Sequence, residues 1–162
     1  MDMMIRGTLH LMAVCMCISA VEGCSLDNTD YNVTIDLGIP CPLLGFSKDV
    51  EGWETISYLN LSSTQIKLMR AGKDEDVSKI DLVEDTSSFI TREGGEVLLN
   101  EVIEISGNKG IKTTGSFGGS KGFMVVIPLV GRNNLLVVLS RDEQEFDSVM
   151  RTLSVKESTV LS

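Results

Sequence analysis

Hydrophobic and polar residues alternate along much of the chain, in the period-two pattern of half-buried strands. Three such stretches lie in its first half: 31–37, 55–61 and 64–70. Four more fill the last third: 96–105, 110–117, 122–130 and 133–140. The segments SGNK, GGSK and GRNN separate these four runs, and their glycine and asparagine residues suit tight turns. The pattern therefore predicts a four-stranded antiparallel meander.

Apolar residues recur at the spacing of an amphipathic helix in two segments of the chain. This spacing predicts one helix over about 77–91, ended by Gly94-Gly95, and a second over 142–153 with acidic residues at its start. The run 124–129 is apolar at every position, which is typical of a central strand covered on both faces. With 162 residues in total, we expect one α+β domain with an antiparallel sheet flanked by helices.

The first 23 residues resemble an export signal, with Arg6 followed by an apolar run from about Leu9 to Ala20. A transmembrane anchor is the alternative, but this run is shorter than the about 20 residues that a bilayer requires. We therefore divide the chain into a signal peptide (1–23), a short polar tether (24–30), a domain (31–155) and a flexible tail (156–162).

Removal of such a signal would leave two cysteines, Cys24 and Cys41. In an oxidising compartment they would form a disulfide, with a stabilisation of about 3 kcal/mol from chain entropy. Alternatively, Gly23-Cys24 partly matches a bacterial lipobox, so that Cys24 would carry a lipid tether and Cys41 would be an inert buried residue. In a eukaryotic host, Asn32 and Asn60 would be glycosylation acceptors.

The net charge of the chain restricts the classes of molecule that it could bind. The formal net charge of −9 opposes binding to nucleic acid and favours a basic partner or simple solubility. The acidic segment 73–85 contains Asp74, Glu75 and Asp76 but lacks the spacing of a calcium-binding loop. We predict a solvated loop there, while a role as an interaction surface stays open.

The segment GSFGGSKGF (115–123) contains the Gly-x-Ser-x-Gly pattern of a hydrolase nucleophile, centred on Ser120. However, the pattern would join two strands, and the only histidine of the chain, His10, lies in the predicted signal. A Ser-His-Asp triad is therefore excluded from the mature chain, and the spacing around Lys121 does not fit a phosphate-binding loop. We predict a hairpin turn, and no catalytic, cofactor-binding or metal-binding residues. Trp53 is expected to anchor the core or a sheet edge.

Three segments resemble the PsbP-like superfamily, which includes the photosystem extrinsic subunit, a yeast Ran-binding protein and the DcrB-type bacterial lipoproteins. They are VEGWE (50–54), ISGNKGI (105–111) and EFDSVMRTLSV (145–155). The resemblance spans about Tyr31 to Val155. It implies an α/β/α sandwich around a curved antiparallel sheet, and members that bind or scaffold rather than catalyse. It transfers no functional residue to this chain.

These observations predict an exported, non-catalytic binding or assembly factor of the cell envelope that contacts a protein partner. It would be periplasmic or anchored through Cys24 in a bacterium, and secreted in a eukaryote. The alternative is a module that binds a small molecule or lipid, which requires an apolar pocket between helix and sheet. A hydrolase is the least favoured class.

Overall fold

A computed structural model describes residues 24–27, 30–37 and 51–159. The predicted signal and residues 38–50, which include Cys41, lie outside these residues. The elements are, in order, β1 Cys24–Asp27, β2 Tyr31–Ile35, β3 Trp53–Asn60, β4 Thr64–Ala71, α1 Leu82–Arg92, β5 Glu96–Ile105, β6 Asn108–Phe117, β7 Ser120–Leu129, β8 Asn134–Ser140, α2 Glu143–Thr152 and β9 Ser154–Glu157.

The strands form two antiparallel sheets. The larger one has six strands in the order β3-β4-β8-β7-β6-β5. Its β5 to β8 portion is the predicted meander, which is confirmed. The smaller sheet has the order β1-β2-β9 and so joins both ends of the described chain. The predicted α+β class with antiparallel pairing is therefore confirmed.

Both faces of the six-stranded sheet are covered, as the apolar run 124–129 predicts. On the α2 face, Val125, Ile127 and Leu129 of β7 pack in the main core with α2 and the small sheet. On the α1 face, Val126 belongs to a second, smaller apolar cluster, against which Leu82 of α1 packs. The alternation of side chains along each strand separates these two clusters.

Two chain segments differ from the predicted organisation. Cys24 and Leu26 are buried, so the first part of the expected tether is strand β1 instead. Likewise, Lys156 and Glu157 belong to β9 rather than to a flexible tail, and Val155 beside them is buried. Both strands are short, and each is ordered through its pairing with β2, which lies far away in sequence from β9.

Helix α1 begins later than predicted, because two aspartates cap separate turns. Asp76 accepts a hydrogen bond from the backbone of Ser78 and starts a 3-10 turn over 77–79. Asp81 then accepts one from Glu84 N and starts α1 itself. At its other end, Gly95 N donates to Ile90 O at 2.9 Å, with Gly94 at φ +79°. The predicted stop at Gly94-Gly95 is confirmed.

Among the described residues, no helix has the length and apolar character needed to cross a bilayer.

Candidate functional site: a groove between helix α1 and the sheet

A groove of about 480 Å³ lies between the C-terminal half of α1 and the α1 face of the sheet. Its floor is formed by Met124 of β7 and Leu139 of β8, which are opposite each other in the ladder. Phe89 and Ile90 of α1 form one wall, and Phe117 of β6 lies at the end. The interior of the groove is thus built from apolar side chains of four elements.

Three glycines make the space that the Phe117 ring occupies. A Cβ atom on Gly95 would lie 2.6 Å from the ring, and one on Gly122 would lie 2.8 Å from it. Gly115 is opposite Gly122 in the ladder, and a Cβ atom there would meet both Phe117 and Ile90 at 3.2 Å. Larger residues at these positions would push the ring towards the groove, so the glycines help to set its shape.

Two buried threonine side chains, Thr86 of α1 and Thr113 of β6, meet between the helix and the sheet. Thr113 Oγ1 donates to Asn100 Oδ1 at 2.7 Å, and Thr86 Oγ1 donates to Leu82 O of its own helix at 2.6 Å. The two hydroxyl oxygens are 3.2 Å apart. Each buried hydroxyl group thus has a partner on its own side, in the helix or in the sheet, and the two can pack against each other without an unpaired polar group.

The rim of the groove is polar on the side of the β3–β4 turn. Asn60, Ser62, Ser63 and Gln65 line this side together with Arg141, whose backbone N–H donates to Ser63 O at 3.1 Å. The Arg141 guanidinium forms no ion pair within the described ranges. Glu93, which follows α1, adds a carboxylate to the lining. The opening therefore offers hydrogen-bonding groups, one cation and one anion next to an apolar interior.

Glu145, at the start of α2, holds the β3–β4 turn in place. Its carboxylate accepts hydrogen bonds from Ser62 Oγ and from Ser63 N. Burial raises the pKa of Glu145, but the hydrogen bonds from Ser62, Ser63 and Thr64 outweigh it and hold the pKa below its ordinary value. Two residues of the polar rim, Ser62 and Ser63, are thus held by an ionised group of another element.

The groove has a size and a lining that are common among ligand pockets. Ligand pockets commonly have volumes of about 300–1,000 Å³, with an apolar lining and a few polar groups that orient the ligand. Within the described part of the chain, no three His, Cys, Asp or Glu side chains come together as metal ligands. The chemical character of the groove fits a small molecule with an apolar body and a polar end.

The predicted hairpin at GSFGGSKGF is confirmed. Gly118 and Gly119 have φ of +60° and +87° and form a two-residue turn, with Phe117 opposite Ser120. Ser120 and Lys121 are both exposed at the start of β7, so a strand follows the serine where a nucleophile elbow would have a helix. The sequence prediction missed the second role of this segment, which is to form the end wall of the groove.

The predicted modification sites lie in different environments. Asn60 is exposed at the end of β3 and lines the rim of the groove. Asn32 is partly buried in β2, where its Oδ1 accepts a hydrogen bond from Ser25. Cys24 is buried with 2% exposure and its sulfur is not a free thiol. The partner predicted for it, Cys41, is outside the described residues, so the disulfide stays a prediction.

The acidic segment 73–85 has a structural role at two of its carboxylates, Asp76 and Asp81, which cap helical turns as described above. Asp74 and Glu75 are exposed, as expected for a solvated loop. Trp53 is partly buried against the second apolar cluster at the start of β3, which is the sheet-edge anchoring that the sequence predicts.

Searches of protein-family models and of curated proteins give no match to this chain. The resemblance to PsbP-like proteins therefore stays a prediction.

Proposed function

We propose that the protein is an exported, non-catalytic module that binds a small amphipathic molecule in the groove between α1 and the sheet. The observation that carries this proposal is the apolar groove of about 480 Å³ with its polar rim. The sequence left a protein partner and a small ligand as alternatives, and such a groove is the feature that favours the ligand. A protein partner in the envelope stays a second prediction.

The rim favours a ligand whose polar end accepts hydrogen bonds. Arg141 supplies a guanidinium that forms no ion pair among the described residues, and Gln65 and Asn60 supply amide groups on the same rim. A carboxylate or ester head would satisfy these donors, while its hydrocarbon part would lie over Met124 and Leu139. Burial of such a chain is worth about 0.8 kcal/mol per methylene group, so chain length should determine the affinity.

The test is a fluorescence titration with dansyl-labelled undecanoic acid, competed with unlabelled decanoic acid and with decylamine. We expect saturable binding with one ligand per chain, and stronger competition by the acid than by the amine. Leu139→Trp should fill the groove and weaken binding at least tenfold. Leu135→Trp is the matched control, since Leu135 is a partly buried leucine of the same strand and cluster that does not line the groove.

The variant Arg141→Gln tests the contribution of the ligand's polar head separately from that of its hydrocarbon part. It should reduce the preference for the acid over the amine while leaving an apolar probe bound. Equal effects of Leu139→Trp and Leu135→Trp, or the absence of saturable binding, would contradict the proposal.

Export and the family relationship belong to the same proposal. The placement of α1 and α2 on opposite faces of the larger sheet is compatible with the α/β/α arrangement of PsbP-like proteins. The buried position of Cys24 in the main core favours a disulfide over an acyl chain at this residue, because an acylated cysteine must reach the membrane. Intact mass before and after reduction distinguishes the two.

A further inference from the structure

Strand β5 is a long exposed edge of the six-stranded sheet. It has ten residues and is hydrogen-bonded only to β6 in the described structure. Val102 is 78% exposed, and Leu98 and Leu99 are 53% and 51% exposed, the largest apolar group on an edge strand among the described residues. Unpaired backbone groups next to exposed apolar side chains are a template for a further strand.

The turn at the end of β5 determines which backbone groups point outward. Ser106 and Gly107, with φ of 51° and 80°, form a two-residue turn between Ile105 and Asn108. Residues that flank such a turn form a hydrogen-bonded pair, and these pairs alternate along the ladder. The N–H and C=O groups of Asn100, Val102 and Glu104 therefore point away from β6, towards an incoming strand.

A second copy of the chain can pair with this edge through a two-fold axis, and its charges select the register. An axis at Glu101 would place this carboxylate opposite its own copy, which is unfavourable. An axis at Asn100 would bring the β-bulge between Val97 and Leu99 into the new ladder. An axis at Ile103 avoids both but pairs only residues 101–105, since β5 ends at Ile105. An axis at Val102 also avoids both, and it pairs residues 99–105 of each copy.

We propose that two copies of this chain associate through antiparallel pairing of their β5 strands, with Val102 at the two-fold axis. The two Val102 side chains then cover each other, and each exposed Leu99 lies opposite Ile105 of the other copy. The register also places Asn100 opposite Glu104. The Asn100 side-chain oxygen is already bonded to Thr113, whereas its NH₂ group has no partner within the described residues and can donate to the Glu104 carboxylate.

This interface does not depend on the ligand groove. It joins the two six-stranded sheets into one continuous sheet and removes both β5 edges from solvent. The carboxylates of β5 thus help to determine the register. Glu101 opposes pairing about itself, and Glu104 accepts a hydrogen bond when the axis is at Val102.

Sedimentation velocity of the mature chain, from low micromolar to submillimolar concentrations, tests the proposal. We expect a reversible dimer. Val102→Lys should raise the dissociation constant at least tenfold, because two ammonium groups would meet at the axis. Val130→Lys is the matched control, since Val130 is also an exposed valine, 60% accessible, but lies outside β5; it should leave the dimer unchanged.

A cysteine scan tests the register independently. In a hydrogen-bonded antiparallel pair the Cα atoms are about 5.5 Å apart, within the range of a disulfide. Val102→Cys should therefore form a covalent dimer on mild oxidation, and Glu101→Cys should not. A monomer at all concentrations, a dimer that survives Val102→Lys, or crosslinking through Glu101→Cys alone would each overturn the proposal.

Discussion

Two buried glycines of strand β6 should respond very differently to the same small substitution. A Cβ atom on Gly110 would lie 2.5 Å from the backbone oxygen of Val126, 2.8 Å from Ile127 Cγ1 and 3.2 Å from Ile127 Cα. The backbone of β7 cannot yield without distorting its ladder with β6, and Ile127 is fully buried in the main core. Gly110→Ala therefore forces strain on a central strand.

At Gly115, by contrast, the nearest atoms are side-chain carbons of Ile90 and Phe117, both at 3.2 Å. These groups border the groove and can move by a few tenths of an ångström. Neither glycine has a positive φ, so alanine is compatible with both backbones. The two variants thus differ only in what surrounds the added methyl group.

Two opposing effects determine the change in the free energy of unfolding. Overpacking lowers it by about 1–3 kcal/mol, and replacing a strand glycine by alanine raises it by about 0.5–1 kcal/mol. For Gly110→Ala we take the upper end of the cost, which gives a loss of about 2 kcal/mol in the free energy of unfolding. For Gly115→Ala the terms nearly cancel, and the change should stay within about 0.5 kcal/mol.

Urea denaturation of both variants and the unchanged chain provides the measurement, with unchanged m values as the condition for comparison. The same difference corresponds to a melting temperature lower by about 8 °C for Gly110→Ala. Equal destabilisation by the two substitutions would refute the reasoning. It would mean that the β7 backbone next to Gly110 can move away from an added methyl group as easily as the side chains next to Gly115.

Three further substitutions test the contacts that hold the layers together, each by urea denaturation. Tyr31→Phe should cost about 1–2 kcal/mol, because the Tyr31 hydroxyl donates to Leu129 O and accepts from Arg132 N; an unchanged midpoint would contradict this. Glu145→Gln should cost about 1 kcal/mol above the ordinary glutamate pKa of about 4.3. Because the folded pKa is lowered, this difference should vanish as the pH falls through that lower value, and a constant difference would exclude the carboxylate as its source. Phe146→Ala should lower the free energy of unfolding by about 3–5 kcal/mol, since the buried Phe146 ring stacks on Phe123 with 5.1 Å between the ring centroids. A loss below about 1 kcal/mol would contradict this packing.

The elements that the sequence predicts best are those whose pattern is local. The meander follows from alternation and from glycine-rich turns, and helix α2 follows from its apolar stripe and its acidic start. The predicted start of α1 is too early, because the apolar spacing begins at Val77, in a 3-10 turn that ends before Asp81 caps the helix itself. Side-chain capping here decides a boundary that periodicity alone leaves open.

Long-range pairing explains what the sequence did not predict. Strand β1 is only four residues long and contains polar side chains, so its pattern is too short to distinguish a strand from a tether. The groove was foreseeable in part: once Gly118 and Gly119 are placed in the turn, Gly115 and Gly122 must be opposite each other, which leaves a gap on one face. That Phe117 and Ile90 of α1 border this gap depends on tertiary packing.

The central position of β2 between β1 and β9 determines when, during synthesis, the small sheet can be completed. Its neighbour on one side, β9, ends at Glu157, and Val155 of β9 completes the main core. A growing chain therefore has no partner for that side of β2 until residues 154–157 have been synthesised. For a protein that we propose to be exported, this order of assembly would keep the small sheet incomplete until β9 has been synthesised.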